Sequence, residues 1–378
     1  MRSIAVFVLF VTTSSIQVPV RVLQRPDATL SRPFERITGL HELRDGRVIV
    51  VDANEQSVLV ADFTNDRVVQ LGRQGSGPGE YRIPVRLLKL GGDSIGIDDG
   101  GNGRILVITG TGQLSGILDA LGTRMGSRPS AGAEPPRESD HQGRLYADGF
   151  VAFGPAATRT DSAPIERWRI GSQVRDTVAY LPLLPANRRV PPPGTPTRAF
   201  DTEPQWTVGP EGQIAILHVD PYSVDMLDSR GRRVVGRPIP YQRVRVSDGH
   251  KRQWREELAR PRPVTITTPR GVQTAGLQAM VAQEPVQWPA YLPAFLDNAG
   301  RFAPDGILWI QRAVPVNSAS RFDLVDGRGV LIAQVSARAH SRVVGFGVSH
   351  VYVVRIDQDD QEFLERFKTV SRPRPGRP

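Results

Sequence analysis

Short apolar runs recur along the chain, and each run follows a two-residue turn. The runs read RVIVVD, SIGIDD, FVAFGP, QIAILHVD, ILWIQR and VYVVRID. The turn pairs that precede them are Asp45-Gly46, Gly92-Asp93, Asp148-Gly149, Glu211-Gly212, Asp305-Gly306 and Ser349-His350. A turn pair of this kind beside an apolar run is a strong local signal for a β-hairpin. The pattern therefore predicts an all-β protein in which one hairpin unit is repeated.

A second strand with its own turn follows most of these runs. The outer corners are the pairs Asn65-Asp66, Arg230-Gly231 and Gly327-Arg328. Each repeat therefore contains about four strands, the number that one blade of a β-propeller requires. Six turns predict a six-bladed propeller. We expect a strand in residues 18–23 to complete the sheet of the last blade, because closure of the ring removes exposed strand edges.

Two of the steps between turns match the ~40–50 residues of a propeller blade, and the others are longer. The excess lies in insertions at residues 122–141, 182–200 and 247–295. The largest insertion is predicted to be partly helical, with a helix from Asp248 that stops before Pro261 and a second piece over residues 277–283. A pair of β-sandwiches is the alternative architecture, but it does not explain the repeated unit.

The glycine-rich segment at residues 71–84, LGRQGSGPGEYRIP, lies between two predicted blades. Glycine adopts positive φ angles at little cost, so this run predicts a tight, defined loop. The stretch GSGPGEY at residues 75–81, followed by Pro84, resembles the signature of NHL-like six-bladed β-propellers. The resemblance implies the same fold.

Three further stretches resemble a bacterial group of secreted or periplasmic six-bladed propellers with no settled activity. They are residues 221–225 with 238–241, residues 254–257, and residues 287–295 with 305–310. The likeness covers most of residues 32–370, and it is specific for the fold and uninformative about function. The chain departs from the pattern before Asp148, where the glycine-rich corner is missing.

The chain has 378 residues, with 48 basic and 39 acidic side chains and a formal net charge of +9. Apart from Lys89, Lys251 and Lys368, every one of these basic residues is an arginine, and they are scattered along the chain. Nucleic-acid binding requires a clustered basic surface, so we expect no nucleic-acid partner. The absence of cysteine excludes disulfides, thiol nucleophiles and cysteine metal sites.

The N-terminus has the parts of a secretory signal: Arg2, an apolar run at residues 4–11 and small polar residues at 12–15. We expect residues 1–15 to be a signal peptide, residues 16–370 to form the propeller, and residues 371–378 to be a disordered tail. An ordinary buried strand is the alternative for the first segment. No transmembrane segment is expected in the mature chain. The prediction is a periplasmic or secreted monomer.

Propellers bind ligands at the mouths of the central channel, where loops from several blades converge. Counting five or six residues past each turn gives one position per blade, at or near the end of an apolar run. These positions are Asp52, Asp98, Pro155, His218, Arg312 and Arg355, with Asn54, Asp99, Asp220, Asn317 and Asp357 nearby. The ligand-binding candidates are Asp52, Asn54, Asp98, His218, Asp220, Arg312 and Arg355.

The two arginines of this ring could hold a carboxylate or phosphate through paired hydrogen bonds. The alternative is that Arg312 and Arg355 pair with neighbouring carboxylates and that Asp52 caps its own turn. Asp52, Asn54 and Asp98 could also supply oxygen ligands to calcium. Because two arginines on the same ring oppose a divalent cation, no cofactor is predicted, and calcium is kept as an alternative.

The insertion at residues 247–295 contains Trp254, Trp288 and Tyr291, which could anchor a lid across the channel mouth. Packing against the side of the propeller is the alternative. The histidines do not cluster, and neither a nucleophile elbow nor a phosphate loop is present. We therefore predict a non-catalytic binding or interaction module whose partner is a protein, peptide or glycan of the cell envelope. A calcium-dependent hydrolase or lyase is the alternative function.

Overall fold

The chain folds into six consecutive β-sheets of four or five strands. The structure, a computed structural model, describes residues 18–119, 135–149, 161–172, 174–185, 195–259, 262–268, 271–278 and 286–369. The predicted signal peptide and tail lie outside the described residues. The six sheets confirm the all-β, six-bladed β-propeller that the sequence predicts.

The first three blades are four-stranded antiparallel sheets. The first blade contains β3 to β6, at Ile37–Glu42, Val48–Asp52, Ser57–Asp62 and Arg67–Gln70. The second blade contains β9 to β12, at Pro84–Gly91, Ser94–Asp99, Arg104–Ile108 and Leu114–Asp119. The third blade contains β13 to β16, at Glu138–Ser139, Arg144–Asp148, Ser162–Arg169 and Asp176–Pro182.

The other three blades repeat this arrangement. The fourth blade contains β18 to β21, at Gln205–Val208, Ile214–Val219, Tyr222–Leu227 and Arg233–Val234. The fifth blade contains β25 to β28, at Gly300–Phe302, Leu308–Gln311, Ala319–Val325 and Leu331–Ala339. The sixth blade contains β29 to β31 and also β2, at Ser341–Phe346, His350–Ile356, Glu362–Lys368 and Ala28–Thr29.

Two N-terminal strands lie at the outer edges of the last two blades. Strand β2 is antiparallel to β31 and supplies the fourth strand of the sixth blade, so it closes the ring. Strand β1, at Val20–Val22, is instead parallel to β28 on the fifth blade. The prediction that residues 18–23 close the ring is therefore wrong. These residues do contain a strand, β1, but it pairs with the fifth blade, and the strand that closes the ring is β2.

The turn of the third blade is also not where the sequence analysis placed it. Strand β14 ends at Asp148, and the turn before it contains Gly143, whose φ is +69°. A Cβ at Gly143 would lie 2.4 Å from the backbone oxygen of Leu90, so this turn packs closely against the second blade. The Asp148-Gly149 pair therefore follows the second strand of this blade, β14, and does not precede it. Pro155, the position counted from that pair, lies outside the described residues.

The hydrophobic core lies between neighbouring blades, because side chains alternate between the two faces of each strand. Leu30, Val50 and Tyr352 belong to the cluster between the sixth and first blades, and Ile49 and Tyr81 belong to the next cluster along the ring. The first strands of neighbouring blades contact one another, which places them at the centre of the ring. They therefore form the wall of a central channel.

In each blade, a tight turn joins the first strand to the second strand. The second strands all begin at these turns and end on the opposite face of the propeller, which we call the upper face. The connections from one blade to the next lie on this face as well. Two of them, residues 183–204 and 235–299, are the long connections that flank the fourth blade. The described parts of both segments therefore lie above the same part of the ring.

In the connection after the fourth blade, the described residues contain one helix, α1 at Asp248–Ala259, as predicted. The predicted second helical piece is wrong where the structure describes it. Residues 277 and 278 belong to β23 (Gly271–Gln278), which pairs with β22 (Arg262–Thr268), and residues 279–285 lie outside the described part. Two short parallel pairs complete the structure: β7 (Arg73–Gln74) with β8 (Glu80–Tyr81), and β17 (Thr197–Arg198) with β24 (Val286–Gln287). No helix in the described residues is long and apolar enough to span a bilayer.

Candidate functional site

The seven predicted ligand-binding residues lie at or just beyond the upper ends of second strands. Because the second strand is not the innermost one, none of the seven lines the central channel. The ring of positions counted from the turn pairs therefore lies one strand outside the channel wall. Their individual surroundings decide what each can do.

Asp52 is fully buried, and its carboxylate accepts hydrogen bonds from the backbone amides of two segments. Its carboxylate accepts hydrogen bonds from the amides of Glu35 and Arg36, at 2.8 and 3.0 Å, and from those of Asn54 and Glu55, at 3.2 and 3.1 Å. Burial raises the pKa of Asp52, although these hydrogen bonds partly offset the effect. The carboxylate therefore caps its own turn and the loop that enters the first blade.

Asp99, and not Asp98, occupies the same place in the second blade. The Asp99 carboxylate accepts hydrogen bonds from the amides of Arg82 and Ile83, at 2.9 and 3.2 Å. Asp98 points elsewhere and pairs with Arg86 at 3.2 Å, and its burial raises its pKa. Asn54 lies beside Asp52, and its buried Oδ1 has no hydrogen-bond partner among the described residues. Asp52 and Asp98 are thus not brought together.

The two predicted arginines are bound to other parts of the protein. Arg312 donates to Asp323 Oδ2 and to the Ala294 carbonyl, both at 2.7 Å, and its side chain is 5% exposed. Arg355 donates to Glu365 Oε1 at 3.2 Å. The geometry therefore matches the alternative in which both arginines pair with neighbouring carboxylates.

His218 is held in one orientation by a buried carboxylate. Its Nε2 lies 3.0 Å from Asp225 Oδ2, and Asp225 also accepts hydrogen bonds from Arg233 and from the Gly236 amide. Burial tends to raise the pKa of Asp225, but these hydrogen bonds outweigh burial and lower it. The contact fixes the orientation of the His218 ring, and His218 lines the space above the fourth blade.

That space is a cavity of about 970 Å³, which we call the upper cavity. Its floor is the turn between the second and third strands of the fourth blade, and its walls are the two long connections. Four predicted residues line it: His218, Asp220, Trp288 and Tyr291. Two of the predicted ligand-binding residues and two of the predicted lid residues therefore line the same cavity.

Three charged side chains in the upper cavity have no ion pair with a described residue. Arg198 and Asp220 are exposed to the cavity. Arg243 is also exposed, and its guanidinium lies 4.3 Å from the centre of the Tyr291 ring. These residues escaped the sequence analysis, except for Asp220, because they lie in connections with no strand pattern. The upper cavity thus offers both signs of charge beside aromatic surface.

An aromatic cluster joins the two long connections beside the cavity. Trp254 of α1 lies 5.3 Å from Trp288 and 6.5 Å from Phe200, measured between ring centres. Trp254 does not line the cavity, so it supports Trp288 from behind. The other end of α1 reaches the first blade, where Glu257 lies 2.9 Å from Arg36. The helix therefore lies on the upper face and not against the side of the propeller.

The central channel is a second cavity, of about 840 Å³, with no lining residue in common with the first. Its wall carries the basic residues Arg36, Arg86, Lys89, Arg137, Arg301 and Arg342 and the acidic residues Glu42, Glu138 and Asp297. The sequence analysis missed these basic residues. Most of these basic residues lie in or beside the first strand of a blade, the strand that precedes the turn pair. The repeat in the sequence could therefore have located them. Basic side chains therefore outnumber acidic ones along the channel wall, six to three.

No group of three or more histidine, aspartate or glutamate side chains that could hold a metal ion occurs among the described residues. The expected calcium ligands Asp52 and Asp98 lie in different blades.

No protein family and no curated protein matches the chain. Solved structures resemble it weakly. A member of the DUF4221 family from Bacteroides vulgatus is 8% identical, with a TM-score of 0.49, over 91% of this chain and 97% of that one. A gluconolactonase from Xanthomonas campestris is 10% identical, with a TM-score of 0.44, over 92% and 97%. The calcium-binding protein regucalcin from Agrobacterium tumefaciens is 12% identical, with a TM-score of 0.41, over 94% and 100%. Identities this low carry no conclusion about function.

Proposed function

We propose that the protein is a binding module that holds a peptide segment of a partner protein in the upper cavity. The convergence of His218 and Asp220 with Trp288 and Tyr291 carries the proposal. A volume of about 970 Å³ lies within the range of cavities that enclose a small ligand or a few peptide residues. The predicted signal peptide would place the partner in the periplasm or outside the cell.

The walls of the cavity favour an apolar side chain in the ligand. Eight prolines line it: Pro182, Pro185, Pro204, Pro221, Pro238, Pro240, Pro289 and Pro293. Proline fixes the backbone φ angle, so a wall built from prolines loses little conformational entropy when a ligand enters. Aromatic side chains add apolar contact area with few rotatable bonds. The cavity is therefore preorganised.

The charges at the rim favour a peptide over a glycan. Arg198 and Arg243 can donate paired hydrogen bonds to an acidic side chain, and Asp220 can accept from a basic one or from backbone amides. A sugar ring would need an open aromatic face. One face of Tyr291 is covered by Arg243, and the Trp288 ring is in contact with Trp254 and Phe200. We therefore favour a peptide with apolar and acidic residues.

Selection from a displayed library of random peptides tests this proposal. Binding of the enriched peptide is then measured by fluorescence anisotropy. We expect Arg243→Ala and Trp288→Ala each to weaken binding about tenfold or more, as at interface hot spots. Arg230→Ala is the matched control, because Arg230 is an exposed arginine on the opposite face with no side-chain partner among the described residues. Peptides that bind the Arg243→Ala and wild-type chains equally, or enrichment on a glycan array alone, would overturn the proposal.

The calcium-dependent hydrolase or lyase is the second candidate, and one observation favours it. The buried Asn54 Oδ1 has no hydrogen-bond donor among the described residues, and its residue lies two positions after Asp52, whose carboxylate oxygens are of the kind that calcium prefers. Metal content and melting temperature, measured with and without a chelator, decide between the candidates. The binding module predicts no stoichiometric metal and no chelator effect. A stoichiometric metal with a lower melting temperature in chelator would favour the enzyme.

A further inference from the structure

Two cations in the central channel form no ion pair with a described residue. Four of the six basic lining residues have a carboxylate partner: Arg36 with Glu257, Arg86 with Asp98, Arg137 with Asp148, and Arg342 with Glu362, at 2.6 to 3.2 Å. Arg301 and Lys89 have no side-chain hydrogen bond or ion pair to any described residue. Both therefore present an unpaired charge to the channel.

The two unpaired cations lie on opposite walls. Lys89 is in the second blade and Arg301 is in the fifth, and these blades face each other across a six-membered ring. Arg301 pairs with Trp309 and Lys89 pairs with Ile95, and each partner is the second residue of the neighbouring strand. The two cations therefore lie at about the same height in the channel.

The nearest carboxylate does not neutralise Arg301. Glu138 lowers the cost of the Arg301 charge, but it interacts with Arg86 and Arg137 as well. Among the described residues, the Glu138 carboxylate accepts one hydrogen bond, the weak one from Thr207 Oγ1 at 3.4 Å. One carboxylate thus lies among three guanidinium groups. The Arg301 side chain is exposed to the channel although protein surrounds it, so a solute can reach it.

We propose that the central channel binds a small molecule with two anionic groups, one held by Arg301 and the other by Lys89. A dicarboxylate or a phosphorylated carboxylate has this chemistry. A guanidinium can hold a carboxylate or phosphate through two hydrogen bonds, and an ammonium holds it as a point charge. The low dielectric around the channel strengthens both contacts relative to bulk water. This site is separate from the upper cavity and does not depend on the peptide proposal.

The charge on Lys89 makes this binding depend on pH. Burial lowers the pKa of Lys89 to about 8, and Asp140 offsets part of the effect. The other titratable groups near Lys89 do not change charge in the same range. Burial and the Lys89 charge lower the pKa of His41 to about 4 and also lower the pKa of His141, and the Asp140 carboxylate is bound by Arg144 and Tyr146. Affinity should therefore fall as pH rises above 8, by up to about tenfold per pH unit.

Calorimetric titration of the full chain with succinate, glutarate and adipate, and with butyrate as the monoanion, tests the proposal. We expect at least one dicarboxylate to bind about tenfold or more tightly than butyrate, since it satisfies two cations. Arg301→Gln and Lys89→Met should each remove that preference. Arg230→Gln and Lys368→Met, at exposed positions outside the channel, should keep it. Glu138→Gln should tighten binding, because it removes the competing carboxylate.

The pH dependence provides a second and independent arm. Lys89→Arg keeps a positive charge at all accessible pH values, so its dicarboxylate affinity should stay constant between pH 7 and 9 while that of the wild-type chain falls. Equal affinity for dicarboxylates and butyrate in the wild-type chain would overturn the proposal. So would a Lys89→Arg variant that folds normally and keeps the wild-type pH profile.

Discussion

Arg312 and Asp323 form an ion pair 2.7 Å long in which both side chains are almost inaccessible to solvent. Asp323 also accepts hydrogen bonds from Tyr222 Oη and from Gln334 Nε2, at 2.9 and 2.8 Å. The Arg312 guanidinium lies 4.6 Å from the centre of the Tyr241 ring. The network joins the fourth and fifth blades beside the upper cavity, so this arginine shapes the cavity without facing its ligand.

Arg312→Ala should therefore act on stability. It leaves the Asp323 carboxylate buried without its cation, and we expect a loss of about 3–5 kcal/mol in the free energy of unfolding. Arg355→Ala is the comparison: Arg355 is 30% exposed, and its partner Glu365 keeps Arg338, so we expect a loss of about 1 kcal/mol or less. Urea unfolding measures both. Equal losses in the two variants would contradict the assignment.

The turn of the third blade gives a prediction based on one glycine. Gly143→Ala combines a positive φ with a clash against the Leu90 carbonyl, whereas Gly46→Ala meets nothing within 4 Å and has only the φ penalty. We expect a loss of about 1–2 kcal/mol for Gly46→Ala and at least about 2 kcal/mol more for Gly143→Ala. Thermal unfolding would show the ranking. The reverse order would argue that the third blade turns at Asp148-Gly149 after all.

Closure of the ring predicts unequal roles for the two N-terminal strands. Leu30 directly follows β2, is fully buried and packs between the sixth and first blades, whereas Val22 of β1 is 56% exposed. Leu30→Ala should reduce the free energy of unfolding by about 2–5 kcal/mol. Val22→Ala should change it by less than about 0.5 kcal/mol. A large effect of Val22→Ala in denaturant unfolding would mean that β1 contributes more to closure than its pairing indicates.

His41 should make the protein less stable in acid. Its folded pKa is about 4, below the model-peptide value of 6.5, so the unfolded chain takes up this proton first as pH falls. Stability is thus lost between about pH 6.5 and 4, and it is fully present above that range. We expect His41→Asn to recover about 2–3 kcal/mol of the loss. Urea unfolding at pH 7 and pH 4.5 measures this. Exposed His340→Asn is the control, and an equal recovery there would contradict the explanation.

The fold could be predicted because its signals are local. A turn pair beside an apolar run specifies a hairpin from a few neighbouring residues, and repetition of that unit specifies a ring of blades. Where two local signals competed, the prediction was wrong. Gln142-Gly143 and Asp148-Gly149 lie at opposite ends of β14, and the close approach of Gly143 to the second blade selects the first.

The candidate sites required the tertiary structure, because they depend on which strand is innermost and on where long connections settle. The sequence placed Asp52 and Arg312 at strand ends on one face, and both lie there. It could not show that the hydrogen bonds of Asp52 and the ion pair of Arg312 are internal to the fold. It also could not bring Trp288 to His218, since no local pattern connects residues that far apart.

The amino-acid sequence by itself determined the all-β class, the four-stranded repeat and the number of blades, because these follow from hairpin chemistry over short distances. Only the tertiary structure decided which charges remain unpaired. Arg301 and Lys89 are ordinary basic residues in the sequence, and they become a pair when the second and fifth blades face each other across the channel. Closure of the ring places the second and fifth blades opposite each other, and ring closure depends on contacts between residues that are distant in sequence.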